Sequence, residues 1–372
     1  MAKNIKSFIK KNIVAFIAIT VAIITSFIIK PDKVYWDYFD YNTLTGLFIS
    51  LAVICAFKNI HFFNITARKI VFLFKTTRSS VIALVYITFI GSMLIANDMA
   101  LITFLPLGYY LLISTKQEKH MAFAFIMQNI AANLGGMLTP FGNPQNLFLF
   151  SYFHIDSLEF MGIMLVPFIV SITLITICCC IFIKNERLTL VDNFTEKLDV
   201  KRTIFYSILF IFTILVIMRY IPYLYGLIII PLILLIVDRK ALKDVDYPLL
   251  ITFCAFFIFA GNLSRMTLIS DIISRLINKN TLLVGTLSCQ FISNVPSAIL
   301  LSRFTNNYPQ LLVAVNIGGT GTLISSLASL ITYRTYVTYN PNKQAYYLKL
   351  FSILNFSFLT ILYLVSLLLF SL

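Results

Sequence analysis

Residues 80–114, SVIALVYITFIGSMLIANDMALITFLPLGYYLLIS, decide the fold. As one helix these 35 residues would run about 52 Å at 1.5 Å each, against a hydrocarbon core of about 30 Å. Two full spans would need about 40 residues plus a turn. The middle carries Asn97-Asp98, an odd choice for a turn in plain lipid. The reading that fits is a re-entrant hairpin, two half-length helices with a deep tip and both ends on one side. Non-helical backbone at that depth is tolerated only where protein or a water-filled cavity surrounds it.

Outward from this stretch the whole chain has the same character. Of 372 residues, 59% are hydrophobic and 12% charged, with mean hydropathy +0.90, which excludes a single soluble core. Further apolar runs cover residues 12–29, 41–57, 121–153, 160–183, 203–218, 223–237, 248–262, 282–304, 311–332 and 346–370. The first follows Lys3, Lys6, Lys10 and Lys11, and reads as a retained helix because no small-residue cleavage site follows it. The 23 residues of 282–304 fit either a second hairpin or one ordinary span. The expected fold is therefore an all-α polytopic membrane protein.

The net charge of +14 comes from 29 Lys and Arg against 15 Asp and Glu. Basic residues accumulate on cytoplasmic loops, so a membrane accounts for the excess and no nucleic-acid partner is implied. With both hairpins in place, 22 basic residues fall on one side and seven, Lys30, Lys33, Arg219, Arg265, Arg275, Lys279 and Arg303, on the other. That split predicts a multi-pass protein of the cell membrane with its amino terminus cytoplasmic and its carboxyl terminus outside.

Two segments echo each other. Asn133-Leu-Gly-Gly-Met-Leu-Thr139 recurs as Asn316-Ile-Gly-Gly-Thr-Gly-Thr322, and Ser325-Ser326 stand opposite Gly142-Asn143. Each copy follows a polar break, Ile95-Ala-Asn-Asp98 or Ile292-Ser-Asn-Val295, preceded by an amphipathic stretch. An odd number of spans separates the hairpins, so the halves face opposite ways, as paired interrupted segments at a transporter's midplane site do. Five parts follow: amino-terminal scaffold helices 1–57, a first repeat unit 58–153, scaffold helices 154–263 with a cytoplasmic loop 184–202, a second repeat unit 264–333, and a carboxyl-terminal helix 334–372.

Gly135, Gly136, Pro140, Gly142 and Pro144 cannot share one regular helix. Unwound backbone offers carbonyls to a cation, and half-helix amino termini offer N–H groups to an anion. Thr139, Asn143, Gln145 and Asn146 add neutral oxygens and amides beside the first break. Ser293, Asn294, Asn316, Gly321, Thr322 and Ser325 repeat the supply in the second half, along with Ser297, Thr320 and Ser326. Asn97, Asp98, Gly142 and Asn143 form one candidate Na⁺ half-site, and Ser293, Asn294, Gly321 and Ser325 the other. Asp98 is the one acidic residue this topology leaves at depth, where a carboxylate costs about 3 kcal/mol unless paired or protonated. Its expected partners are a cation or a proton, and it also fits the N-cap of the helix that follows. There is no Gly-rich phosphate loop with Lys and no His-Glu metal pair, so neither an enzyme nor a cofactor is implied. The six cysteines read as apolar filler.

These motifs resemble an ion-transporter superfamily that includes divalent-anion/sodium symporters, citrate transporters, arsenite permeases and NhaD-type sodium/proton antiporters. The resemblance rests on Ala96 to Pro106, Ala132 to Asn146, Ile292 to Pro296 and Asn316 to Thr322. It implies a homodimer of scaffold and transport domains with elevator-type alternating access, moving a small anion with Na⁺ or H⁺ as coupling ion. In the symporter branch, Ser-Asn-Thr tips bind Na⁺ and substrate carboxylates. Here Ser293-Asn294 keeps two letters while Val295 replaces Thr, and Asn97-Asp98 places an acid where the other Thr would be. That acid would repel a di- or tricarboxylate and is closer to the arsenite and NhaD-type branches. The alternatives are a Na⁺/H⁺ antiporter, an arsenite-type efflux permease, or, from another class, a non-transporting membrane anchor or accessory subunit.

Overall fold

The computed structural model describes residues 13–188 and 197–371. Lys3, Lys6, Lys10, Lys11 and the centre of the 184–202 loop lie outside the described residues. Within them the chain is helical, and the one β-bridge, Thr76 to Arg187, ties two loops together. Seven helical stretches among the described residues are long and apolar enough to cross a membrane.

Helices α1 (Ile13–Ile28) and α2 (Tyr41–Asn59) lead to a short amphipathic α3 (Phe62–Val71). A hairpin of α4 (Thr77–Ile95) and α5 (Asn97–Ser114) follows, then an interrupted pair, α6 (Met121–Gly135) and α7 (Pro144–Tyr152). Next come α8 (Ser157–Phe182), α9 (Val200–Ile217), α10 (Tyr223–Val237), a single turn α11 (Arg239–Lys243) and α12 (Tyr247–Ser264). The amphipathic α13 (Thr267–Lys279) precedes a second hairpin, α14 (Thr281–Ile292) and α15 (Asn294–Leu301). A second interrupted pair, α16 (Tyr308–Ile317) and α17 (Leu327–Tyr339), and the long α18 (Gln344–Ser371) complete the chain.

The middle of the fold is α6, apolar on most sides and with all its residues buried, as a helix surrounded by protein must be. It packs against α4, α5, α8 and α17. Around it the outer helices bury a stripe and expose another apolar one. In α8 the buried stripe is Phe160, Met164, Pro167, Ser171, Ile175 and Cys179, while Leu165, Ile169, Ile177 and Ile181 face outward. Such a helix suits a solvent as apolar as its own exposed face. A separate apolar cluster joins α2, α9, α10 and α11 through Ile49, Phe57, Tyr206, Val216, Ile230 and Ala241.

The hairpins differ from the expected half-lengths in the first case only. There the arms have 19 and 18 residues, about 28 and 27 Å long. Two causes add up. The Thr76 side chain accepts the Ser79 N–H and starts α4 inside the stretch read as amphipathic, and the turn consumes only Ala96. The second region is broken at its middle: α14 and α15, 12 and 8 residues long, pack on each other across Ser293.

Candidate functional site

Both hairpin corners are made by one residue in the same rare backbone region, Ala96 at φ 59°, ψ 153° and Ser293 at φ 75°, ψ 160°. That region is close to glycine-only and costs about 1–3 kcal/mol for other residues. The next residue is asparagine in each, and its side chain does the same thing. Asn97 Oδ1 accepts the Asp98 N–H at 2.9 Å, and Asn294 Oδ1 accepts the Val295 N–H at 2.9 Å. The interrupted pairs match as well. Asn143 (φ −137°, ψ 147°) and Ser326 (φ −148°, ψ 142°) occupy the residue just before α7 and α17.

The two corners and two breaks meet in one buried network. Asn97 donates to Asn133 Oδ1 at 3.1 Å and to Ser326 Oγ at 3.4 Å, joining the first corner to both interrupted helices. Asn133 donates to the Asn129 carbonyl at 3.1 Å, and Asn129 to Ser329 Oγ at 3.2 Å. Asn143 and Gln145 each donate to Asn316 Oδ1 at 3.5 Å, and Asn316 donates to Asn146 Oδ1 at 2.6 Å. At the second corner the Asn294 N–H donates to the Ser325 carbonyl at 3.0 Å, and Ser293 Oγ reaches that carbonyl at 3.2 Å.

The breaks are themselves held by side chains. Asn146 Nδ2 lies 3.0 Å from the Gly136 carbonyl and 3.3 Å from those of Met137 and Thr139. Thr139 Oγ1 donates to the Met93 carbonyl, tying the break to α4. In the second half Gln290 Nε2 meets the carbonyls of Gly318 at 2.9 Å, Thr320 at 3.1 Å and Thr286 at 3.2 Å. Its Oε1 accepts the Thr322 N–H, and its backbone carbonyl accepts the Thr322 hydroxyl, both at 2.9 Å. Gly321, at φ +119°, could not carry a side chain here, because a Cβ would run into the Gln290 amide. A Cβ on Gly142 would run into the Gly136 carbonyl.

The sequence-derived candidates other than Asp98, Ser297 and Thr320 take part in this assembly; the Ser297 and Thr320 hydroxyls bond back to the Ser293 and Ile317 carbonyls. Asp98 does not cap its helix: α5 begins one residue earlier, with Asn97 supplying the bond that a cap would make. No side-chain bond joins its carboxylate to the asparagines, and its Oδ1 is buried without a hydrogen-bond partner. Asn143 Oδ1 and Gln145 Oε1 are buried and unpaired as well. Three oxygens without donors are what a cation or a donor-bearing ligand would satisfy. No cluster of three or more His, Cys, Asp or Glu that could hold a metal occurs among the described residues. Gln290 was missed by sequence reasoning. A lone glutamine in an apolar helix carries no motif, and only the fold brings the second break to it.

The Citrate transporter family matches residues 3–310. An uncharacterized transporter of Methanocaldococcus jannaschii is 34% identical over 86% of this chain and 87% of its own. The inner membrane protein YbiR of Escherichia coli is 30% identical over 73% of this chain and 74% of its own. A transporter named arsB in Dictyostelium discoideum is 22% identical over 46% of this chain and 30% of its own. With that match over most of its length and its apolar helices, the chain belongs to the citrate transporter family of multi-pass membrane transporters.

Proposed function

We propose that this protein is a secondary active transporter of a small anion, a carboxylate or an inorganic oxyanion, bound where the corners and breaks meet and coupled to Na⁺ or H⁺. One observation carries the reading. The amino-terminal ends of four helices, α5 at Asn97, α7 at Pro144, α15 at Asn294 and α17 at Leu327, converge there, lined by side-chain amides and hydroxyls. Each helix start carries roughly half a positive charge, so four together attract an anion without a basic side chain.

The matching corners and N-cap geometries support an inverted repeat, with the hairpins as re-entrant elements and Asn133 and Asn316 as partners. Contacts between loops support the grouping of loops by side, which either orientation shares. Asn59 bonds Asp238 and Gln117 bonds Glu186 among segments assigned to the cytoplasmic side. Arg265 pairs with Asp32, and Arg303 donates to the Tyr38 carbonyl, among those assigned outside. The separate apolar core of α2, α9, α10 and α11 supports a scaffold past which the site moves, and the dimer in the cell membrane belongs to the same proposal. A thermal-shift screen of the purified protein against citrate, dicarboxylates, sulfate and arsenite should give a saturable rise with at least one anion. A response to Na⁺ and pH alone contradicts the proposal.

Asp98 favours one second reading, Na⁺/H⁺ exchange or arsenite-type efflux. Under exchange, Asp98→Asn abolishes all flux in proteoliposomes, including Na⁺ movement driven by a pH gradient. Under anion transport the variant still exchanges labelled anion for unlabelled, and loses only gradient-driven accumulation.

A further inference from the structure

The carbonyls released at the two breaks are not free to hold an ion. At the first, one amide nitrogen, Asn146 Nδ2, sits among the carbonyls of Gly136, Met137 and Thr139. At the second, Gln290 Nε2 sits between those of Gly318 and Thr320, and also meets the carbonyl of Thr286, one turn back in its own helix. Ser325 Oγ takes the Gly319 carbonyl at 2.9 Å and that of Thr322 at 2.8 Å. The amide orientations are fixed by chemistry, because flipping either would face its oxygen onto three other oxygens. Both amide oxygens are also used, by Asn316 Nδ2 and by the Thr322 N–H. The two residues come from different places, one on α7 and the other on a hairpin arm. They nevertheless do the same thing, setting an amide donor against the break carbonyls, three at the first break and two at the second.

We propose that Asn146 and Gln290 are positioning residues whose amide nitrogens occupy the places a ligated cation would take at the breaks, so that the anion site is electropositive with no resident metal cation. Convergence of broken helices brings carboxyl-terminal ends together as well as amino-terminal ones. The carbonyls at those ends would cancel the positive potential. With the break carbonyls facing neutral donors, the helix starts at Asn97, Pro144, Asn294 and Leu327 set the sign of the field. This deepens the anion reading above and rests on it. Any coupling Na⁺ must then use other oxygens than these carbonyls and follow the anion, so that anion binding itself does not require Na⁺.

The test uses the full chain purified in detergent. Its melting temperature is followed as Na⁺ is exchanged for N-methylglucamine at constant pH and ionic strength, in the wild type, Gln290→Met and Asn146→Asp. Both variants strip the donor from the cradle, leaving carbonyls that a cation can satisfy. Na⁺ should therefore raise the melting temperature of each variant by about 3 °C more than that of the wild type. A variant response equal to or smaller than that of the wild type overturns the proposal, since the cradles would then bind no cation or already hold one. Should the variants not fold, the wild type decides the matter. Its melting shift with citrate, succinate, sulfate or arsenite should persist in Na⁺-free buffer, and a shift that vanishes there overturns the proposal. Absence of any anion shift in either buffer, with the variants still gaining Na⁺ sensitivity, would count against anion transport and leave the cradle assignment standing.

Discussion

Ala96 and Ser293 hold backbone angles that glycine adopts freely, yet neither is glycine. Ser293 has a use for its side chain, since its hydroxyl reaches the Ser325 carbonyl. Ala96 has none, so Ala96→Gly should stabilise the fold by about 1 kcal/mol, strain relief outweighing the entropy of the added glycine. A differential scanning measurement in detergent checks this, and a lower melting temperature would show that the methyl packs usefully. At this scale the sequence was partly legible. Clustered asparagines beside Gly and Pro stand out in apolar runs because burying an amide requires a partner. Gln290 does not stand out, since its partners come from 28 to 32 residues further along the chain. Asp98 stood out most, yet its carboxylate has no bond to the network that its position suggested.

The elements were read correctly where length or proline forced them and less well where a cap decided them. The first interrupted helix followed from proline, which cannot continue the turn before it, and the second from its echo of the first, since its break holds no proline. Nothing in the 80–114 run shows that Thr76 starts the helix early or that one residue suffices to turn it, so the first arms came out longer than expected. Between elements, the end of α1 is clamped to the end of α12 by Arg265, which grips Asp32 through both guanidinium nitrogens at 3.0 and 2.7 Å. The hydrogen bond from Arg265 holds the Asp32 carboxyl below the usual aspartate range. A depressed acid stabilises the fold above its unfolded pKa, and the contribution fades as pH falls through the lowered value. The melting temperature of Arg265→Gln should therefore lie below that of the wild type at pH 7, with the gap shrinking only below the ordinary aspartate range. A gap that closes between pH 7 and 5 would contradict the assignment.

For the whole molecule, the charge excess and the hydropathy gave the class, a polytopic helical membrane protein. They could not show that α2, α9, α10 and α11 carry a core of their own, because that depends on which apolar faces meet. Nor does composition distinguish a cation site from an anion site. Neutral amides serve both, and the proposed anion site takes its sign from the convergence of four helix starts. Purified protein in liposomes with an imposed pH or Na⁺ gradient tests this most directly, by uptake of labelled citrate, succinate, sulfate and arsenite in the wild type and in Asn143→Ala and Asn294→Ala. The account predicts gradient-driven accumulation of at least one anion, reduced at least about tenfold in both variants, as loss of about 1.4 kcal/mol or more of binding requires. No accumulation of any of these anions, together with Na⁺ flux that answers a pH gradient and survives both substitutions, would contradict it.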